Sequence, residues 1–320
     1  MQKTQRDIIA VVGPTAVGKT ALGESIARSL NGEVVSADSM QVYRGMDIGT
    51  AKPPLFARSV PYHCLDLAEP GEPYSAARFQ ADARAALADI AARGRQPIVV
   101  GGTGLYVRAA LDDMRFPAGD IQTAGRQRID AMARDLGAAG LHALLAERDP
   151  ASAALIHPNN TRRVMRALEM SESGVSYATQ AAGFARRDAF LPTVYLGLSM
   201  ERSVLYERID RRVDEMVRIG LVAEVAGLLD AGYRSAVTAT QAIGYKELVP
   251  VIEDGAPLAT AVDDIKRASR RYAKRQLSWF RADPRVVWID VTDRRGDDLL
   301  ASALELVESH QRQQIERTTP

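Results

Sequence analysis

Ile8-Ile9-Ala10-Val11-Val12-Gly13-Pro14-Thr15-Ala16-Val17-Gly18-Lys19-Thr20 is the stretch from which the rest of the chain reads. Its first five residues are an unbroken apolar run ending at a glycine, the pattern of a strand buried on both faces of a parallel sheet. The next eight satisfy G-x-x-x-x-G-K-[ST] at every fixed position, and a helical stretch over Ala16 to Leu30 follows. Glycines let such a turn wrap closely, so that successive N–H groups point inward at phosphate oxygens. Lys19 adds a point charge, Thr20 is placed to ligate a magnesium ion, and the helix that follows offers its positive N-terminal end.

Outward from this motif, Glu33-Val34-Val35-Ser36 and Pro97-Ile98-Val99-Val100 read as further strands. An alanine-rich helical stretch runs from Ser75 to Arg93 between them. The alternation predicts an α/β fold, a P-loop-type doubly wound parallel sheet. Val194-Tyr195-Leu196-Gly197-Leu198 and Val286-Val287-Trp288-Ile289 supply later strands. Between them, Ser203 to Phe280 reads as mostly helical, with breaks at Gly232, Gly244 and Pro250. From Ala118 to Arg187 the sequence is Ala- and Arg-rich, helical in pattern and without a convincing strand. The expected organisation is therefore a first part of the core over 1–117, a helical insertion or lid over 118–187, a second part over 188–310 carrying a basic helix, and a polar, frayed tail over 311–320.

Composition narrows the function classes. The 320 residues are 46% hydrophobic and 25% charged, ordinary for a globular protein. No apolar run approaches the roughly 20 residues that span a bilayer, and residues 1–7 lack a signal-peptide layout, so no membrane partner is expected. Cys64 is the single cysteine, which excludes an intrachain disulfide and suits a reducing, cytoplasmic setting. The four histidines are widely spaced and form no zinc pattern. No heptad seam is present, and a monomer is expected. With a net charge of +1, affinity for nucleic acid has to come from local clustering of cations.

What the phosphate turn holds is a separate question. P-loop nucleotide hydrolases set an aspartate at the end of another strand. The run ending Val100-Gly101-Gly102-Thr103-Gly104 has none, whereas Ala37-Asp38-Ser39 follows the second strand. In a parallel sheet that tip shares the ligand-binding edge with the phosphate turn. Asp38 is thus expected to face the phosphates, either orienting metal-bound water or taking a proton from an acceptor. A small-molecule kinase is an open alternative on these residues alone.

The cations do cluster. Residues 266–281 hold seven basic residues and no acid, with pairs at 266/267, 270/271 and 274/275. On a helix this spacing predicts one broad positive face, with Tyr272, Trp279 and Phe280 available to pack or stack. Such a face suits an RNA backbone. Arg162, Arg163 and Arg166 form a second cluster.

Several blocks together resemble the tRNA dimethylallyltransferase family. They are the phosphate turn, Ser36-Ala37-Asp38-Ser39-Met40-Gln41-Val42-Tyr43, Gly45-Met46-Asp47-Ile48-Gly49-Thr50-Ala51-Lys52-Pro53, and Gly101-Gly102-Thr103-Gly104-Leu105-Tyr106. His157-Pro158-Asn159, Arg163-Val164-Met165-Arg166-Ala167-Leu168-Glu169, Gln241-Ala242-Ile243-Gly244-Tyr245-Lys246-Glu247 and Tyr272 to Arg281 continue it in the family's order. The phosphate turn is generic, whereas the second and third blocks are specific to the family.

The resemblance implies transfer of a dimethylallyl group from dimethylallyl diphosphate to the exocyclic amine of the adenosine 3′ to a tRNA anticodon. It implies that Gly13 to Thr20 (Gly13, Pro14, Thr15, Ala16, Val17, Gly18, Lys19, Thr20) hold the pyrophosphate, that Arg212 also reaches it, and that Asp38 is the general base. It sets Asp38, Ser39, Met40, Gln41, Thr103 and Arg126 along the anticodon stem-loop. Arg162, Arg163, Val164, Met165 and Arg166 follow, then Gln241, Ala242, Ile243, Gly244, Tyr245 and Lys246. Lys274, Arg275, Gln276, Leu277, Ser278, Trp279, Phe280 and Arg281 complete the set. Two positions depart from the family, Arg162 standing where Gln is usual and Ser278 where Thr is, and both keep a hydrogen-bond donor.

Overall fold

A computed structural model of the chain describes residues 7–116, 124–235 and 238–318. Residues 1–6, the insertion boundary expected at Ala118 and the last two residues of the tail lie outside the described residues. In chain order, β1 (Ile8–Val12) leads through the phosphate turn to α1 (Lys19–Ser29) and β2 (Gly32–Ser36), followed by β3 (Tyr62–His63), α2 (Ala76–Ala92), β4 (Gln96–Gly101) and α3 (Gly104–Leu111). Then come α4 (Ala124–Arg148), α5 (Pro150–Leu155), α6 (Thr161–Glu172) and α7 (Tyr177–Ala185). β5 (Thr193–Ser199), α8 (Arg202–Arg218), α9 (Leu221–Asp230), α10 (Val249–Asp254), α11 (Leu258–Arg281), β6 (Val286–Asp290) and α12 (Gly296–Thr318) complete the chain.

Among the described residues the strands form one parallel sheet in the order β3-β2-β4-β1-β5-β6. Ile9 of β1 lies opposite Ile98 of β4 and Val194 of β5. All residues of β1, β2 and β4 are buried, which is why their sequences run apolar without alternation. Glu33, Ser36 and Gln96 are buried polar exceptions in these strands; the Glu33 carboxylate is held by Arg93 and by His63 Nε2 at 2.7 Å. The Arg93 hydrogen bond leads in pulling the Glu33 carboxyl down to about 2. Ile9, Val11, Ile98, Leu196 and Leu198 pack with Leu22 and Ile26 of α1, Leu205 and Ile209 of α8, and Ala303 and Val307 of α12.

The chain leaves β1 toward β2 and leaves β4 toward β5 on the other side. The crevice between the tips of β1 and β4 is therefore the switch point at which ligands bind in open parallel sheets.

The doubly wound sheet matches the expectation, with four differences. The helix expected from Ala16 begins at Lys19, because Ala16 has φ 64 and belongs to the phosphate turn. β3 escapes a pattern reading because it is two residues long and pairs on one side only. Among the described residues the insertion begins at Asp112 and ends at Asp188, where 118–187 was expected, so the first part of the core ends at Leu111 and the second begins at Ala189. Backbone pairing sets this boundary: Leu111 O accepts from the amides of Phe190 and Leu191 at 2.9 and 3.1 Å, and Asp113 N donates to Asp188 O at 2.8 Å. Finally, the tail expected to fray from Gln311 continues α12 to Thr318. Its Gln, Arg and Glu residues are good helix formers, which polarity alone does not reveal.

The helical unit has its own core, with Ile129, Leu141, Leu145, Val164, Met165 and Leu168 among its residues.

Candidate active site

The phosphate turn is built on a backbone that only glycine fits at its start. Gly13 has φ +144, and a Cβ there would press on Leu198 O of β5. Past it, the Thr15 amide donates to Gln276 Oε1 at 2.8 Å, and Gln276 Nε2 donates to Gly102 O at 2.9 Å. A single buried side chain of α11 thus joins the loop after β1 to the loop after β4 across the switch point.

Protein oxygens hold the cations of the site. Lys19 Nζ donates to Pro14 O at 2.6 Å. Burial pushes its pKa down to about 7, with the Asp38 charge opposing and Arg212 adding to the fall. Arg212, from α8, donates from Nη1 to Thr15 Oγ1 at 3.4 Å; burial lowers its pKa too, and Asp38 again opposes. Asp38 stands at the tip of β2, where Oδ1 accepts the Met40 amide at 2.9 Å. Burial first, and the Asp38 charge second, push Tyr272 up to about 12. A carboxylate therefore faces two cations and a phenol.

These groups line a cavity of about 510 Å³. Thr15, Ala16, Lys19 and Thr20 form one end, with Asp38 beside them. Ser39, Met40 and Gln41 continue from the β2 tip, and Gly49, Thr50 and Ala51 form a wall with Gln241 to Lys246. Arg212 comes from α8 between Ile209, Val213 and Met216, and Arg271, Tyr272 and Arg275 come from α11. The residues from 49 to 51, the α8 apolar positions, Arg271 and Tyr272 were not expected at the site. Spacing held part of the signal: Ile209, Val213 and Met216 share a helix face with Arg212, and Arg271 lies one turn from Arg275.

Other expected residues stand elsewhere. Thr103 Oγ1 accepts the Ser39 amide at 3.1 Å, so it shapes the β2 tip. Gln276 lines the cavity as the tie described above. Leu277 packs against the sheet core and Phe280 is buried. Val164 and Met165, expected along RNA, sit in the helical unit's core because the amphipathic face of α6 turns them inward. Arg126 and Arg166 share one carboxylate, Glu169, at 2.5 and 3.2 Å, while Arg162 and Arg163 are exposed. The basic helix is not one face. Lys266 and Arg270 pair with Asp214 and Asp210 of α8, whereas Arg271 and Arg275 point into the cavity, Arg275 also lying 5.6 Å from the Tyr272 ring. Lys274, Ser278, Trp279 and Arg281 do not line the cavity; Trp279 is 42% exposed.

The sequence model of the IPP transferase family matches residues 41–283, and that of isopentenyl transferase matches residues 6–55. The tRNA dimethylallyltransferase of Geobacillus thermodenitrificans is 51% identical over 288 residues, covering 89% of this chain and 91% of that one. That of Bacillus subtilis is 45% identical over 293 residues, covering 91% and 93%. Among solved structures, the full-length tRNA isopentenylpyrophosphate transferase of Bacillus halodurans is 44% identical with a TM-score of 0.69, covering 97% and 99% of the two chains. A eukaryotic dimethylallyltransferase acting on tRNA is 30% identical with a TM-score of 0.79, covering 95% and 79%. Alike in sequence and in backbone over nearly its whole length, the chain belongs to the tRNA dimethylallyltransferase family.

Proposed function

We propose that this chain transfers a dimethylallyl group from dimethylallyl diphosphate to the exocyclic N6 amine of the adenosine 3′ to the anticodon in tRNA. The observation that carries the reading is the meeting, in one cavity, of Thr15, Ala16, Lys19 and Thr20 of the phosphate turn with Arg212 and a carboxylate, Asp38, from the neighbouring strand tip.

Chemistry assigns the ends. As the allylic C1–O bond breaks, positive charge grows on the prenyl carbon and negative charge on the departing pyrophosphate. Lys19, Arg212 and the turn's N–H groups stabilise that anion where its charge develops. The adenine amine is a weak nucleophile because its lone pair is delocalised into the ring. As N6 bonds to C1, Asp38 accepts the proton it sheds. The buried setting of the site keeps water from the allylic cation.

A magnesium ion fits this donor set. No cluster of three metal-ligating side chains occurs among the described residues, and magnesium commonly keeps its waters and takes other oxygens from substrate phosphates. Thr20 would hold it, and it would supply charge neutralisation for the diphosphate.

The test is incubation of the protein with labelled dimethylallyl diphosphate and unmodified tRNA, followed by nucleoside analysis. Label on N6 of adenosine is expected; phosphoryl transfer from ATP without RNA would favour the small-molecule kinase instead.

The depressed Lys19 makes a second test. Above about pH 7 its amine is mostly neutral in the free protein. A bound anion favours the charged form, so binding takes up a proton, and affinity falls as pH rises through and above that value. Calorimetry of inorganic pyrophosphate at pH 8, in buffers of different ionisation heat, is expected to show this uptake. Lys19→Met is expected to lack it.

A further inference from the structure

We propose that Glu224 is a positioning residue for the acceptor end of the cavity, acting through the Gly49–Ala51 wall and Tyr245; this rests on the transferase reading above. Glu224 does not line the cavity; its carboxylate is occupied by groups of the protein itself. From α9 it gathers four donors. Oε2 accepts the amides of Asp47 and Ile48 at 3.1 and 2.7 Å, and Oε1 accepts the Gly49 amide at 3.2 Å and the Tyr245 hydroxyl at 2.6 Å. Three successive amides converging on one anion make the kind of concave turn that proteins elsewhere offer to phosphate. Here the chain fills it with its own side chain.

The same loop is tied from two other directions. Lys52 Nζ, with a side chain only 3% exposed, donates to Tyr43 O at 2.8 Å and to Asp47 and Asp66 carboxylates at 2.6 Å each. Gln41 Nε2 donates to Thr50 O at 3.1 Å. Of these ties, Glu224 alone reaches both pieces of the wall, since Gly49 and Tyr245 bind the same oxygen. The two are also in direct contact: a Cβ on Gly49 would overlap the Tyr245 ring.

The wall belongs to the acceptor by its chemistry. The cradle end of the cavity holds Lys19, Thr20 and Arg212, suited to a diphosphate. Gly49 to Ala51 with Gln241 to Lys246 offer backbone polar groups, the Gln241 amide, small and apolar side chains, one aromatic ring and a single cation, Lys246. That is a surface for a planar, uncharged base. A shift of the wall therefore moves the acceptor against Asp38 while leaving the anion cradle as it was.

The variants separate these roles. Glu224→Gln keeps one carbonyl oxygen for Asp47 and Ile48, and its amide can donate to the Tyr245 oxygen, so one contact is lost. Glu224→Ala loses all four and leaves amides unsatisfied. Tyr245→Phe removes one donor and keeps the ring. Each would be assayed for initial rates against tRNA, for tRNA binding by filter retention, and for inorganic pyrophosphate binding by calorimetry. Expected are a rise in KM for tRNA of about tenfold for Glu224→Ala and about threefold for Tyr245→Phe, near-recovery in Glu224→Gln, and an unchanged pyrophosphate Kd throughout. Unchanged KM and kcat in Glu224→Ala would overturn the proposal, as would pyrophosphate binding that weakens in step with tRNA. Should Glu224→Ala not fold, Tyr245→Phe decides, and a KM equal to wild type overturns it. A wild-type protein that binds pyrophosphate and yet modifies no tRNA would instead defeat the transferase reading itself.

Discussion

Asp38→Asn is expected to lower kcat for prenyl transfer by about 10²–10⁴-fold, the usual range for a lost general base, while tRNA still binds. The substitution is nearly isosteric, and an asparagine oxygen can still accept the Met40 amide that fixes the β2 tip. What disappears is the proton acceptor and one negative charge facing Lys19 and Arg212. At a pH well below about 7, where Lys19 carries its charge, pyrophosphate should therefore bind as well as before, or more tightly, because the cradle loses a repelling neighbour. Asp38 is also what opposes the fall of the Lys19 pKa, so the pH edge of pyrophosphate binding should move downward in the variant. Single-turnover rates at saturating substrate, read beside binding of each substrate, provide the measurement. A rate within about tenfold of wild type would remove Asp38 from the role of base.

Arg212→Met gives the converse pattern. The replacement keeps much of the volume and apolar stem between Ile209 and Val213 but removes the charge beside Thr15. Loss of one preorganised group at a developing anion costs about 10²–10³ in rate. That loss is expected in kcat, together with weaker pyrophosphate binding and an unchanged tRNA Kd. The two variants would thus divide the cavity into its leaving-group and acceptor halves. If Arg212→Met weakened tRNA binding and left pyrophosphate binding alone, the two ends would be reversed.

Much of this architecture was legible because the signals were local. The apolar run of β1, the glycine-lysine turn and the specific Asp38 to Tyr43 and Gly45 to Pro53 blocks each carry their meaning within a few residues. What escaped depends on partners distant in sequence. Nothing near Lys266 or Arg270 shows that Asp214 and Asp210 neutralise them, so a helix that reads as one cationic face is divided between a structural side and a cavity side. Val164 and Met165 lie in a stretch whose family motif points to RNA, but its 3.6-residue period turns both into a core. Gln276 reads as another polar residue on a basic helix, and only the fold brings Thr15 and Gly102 to its two ends. The Glu224 clamp has no sequence signature at all, since its recipients are backbone amides.

The pairing of Leu111 with Phe190 and Leu191, and of Asp113 with Asp188, has an evolutionary corollary. The excursion of seventy-odd residues starts and finishes at a single doorway in the main body, after one complete strand and helix and before the next strand. Related chains can lengthen, shorten or exchange that excursion without rerouting the sheet's connections, because no strand order depends on what happens between departure and return.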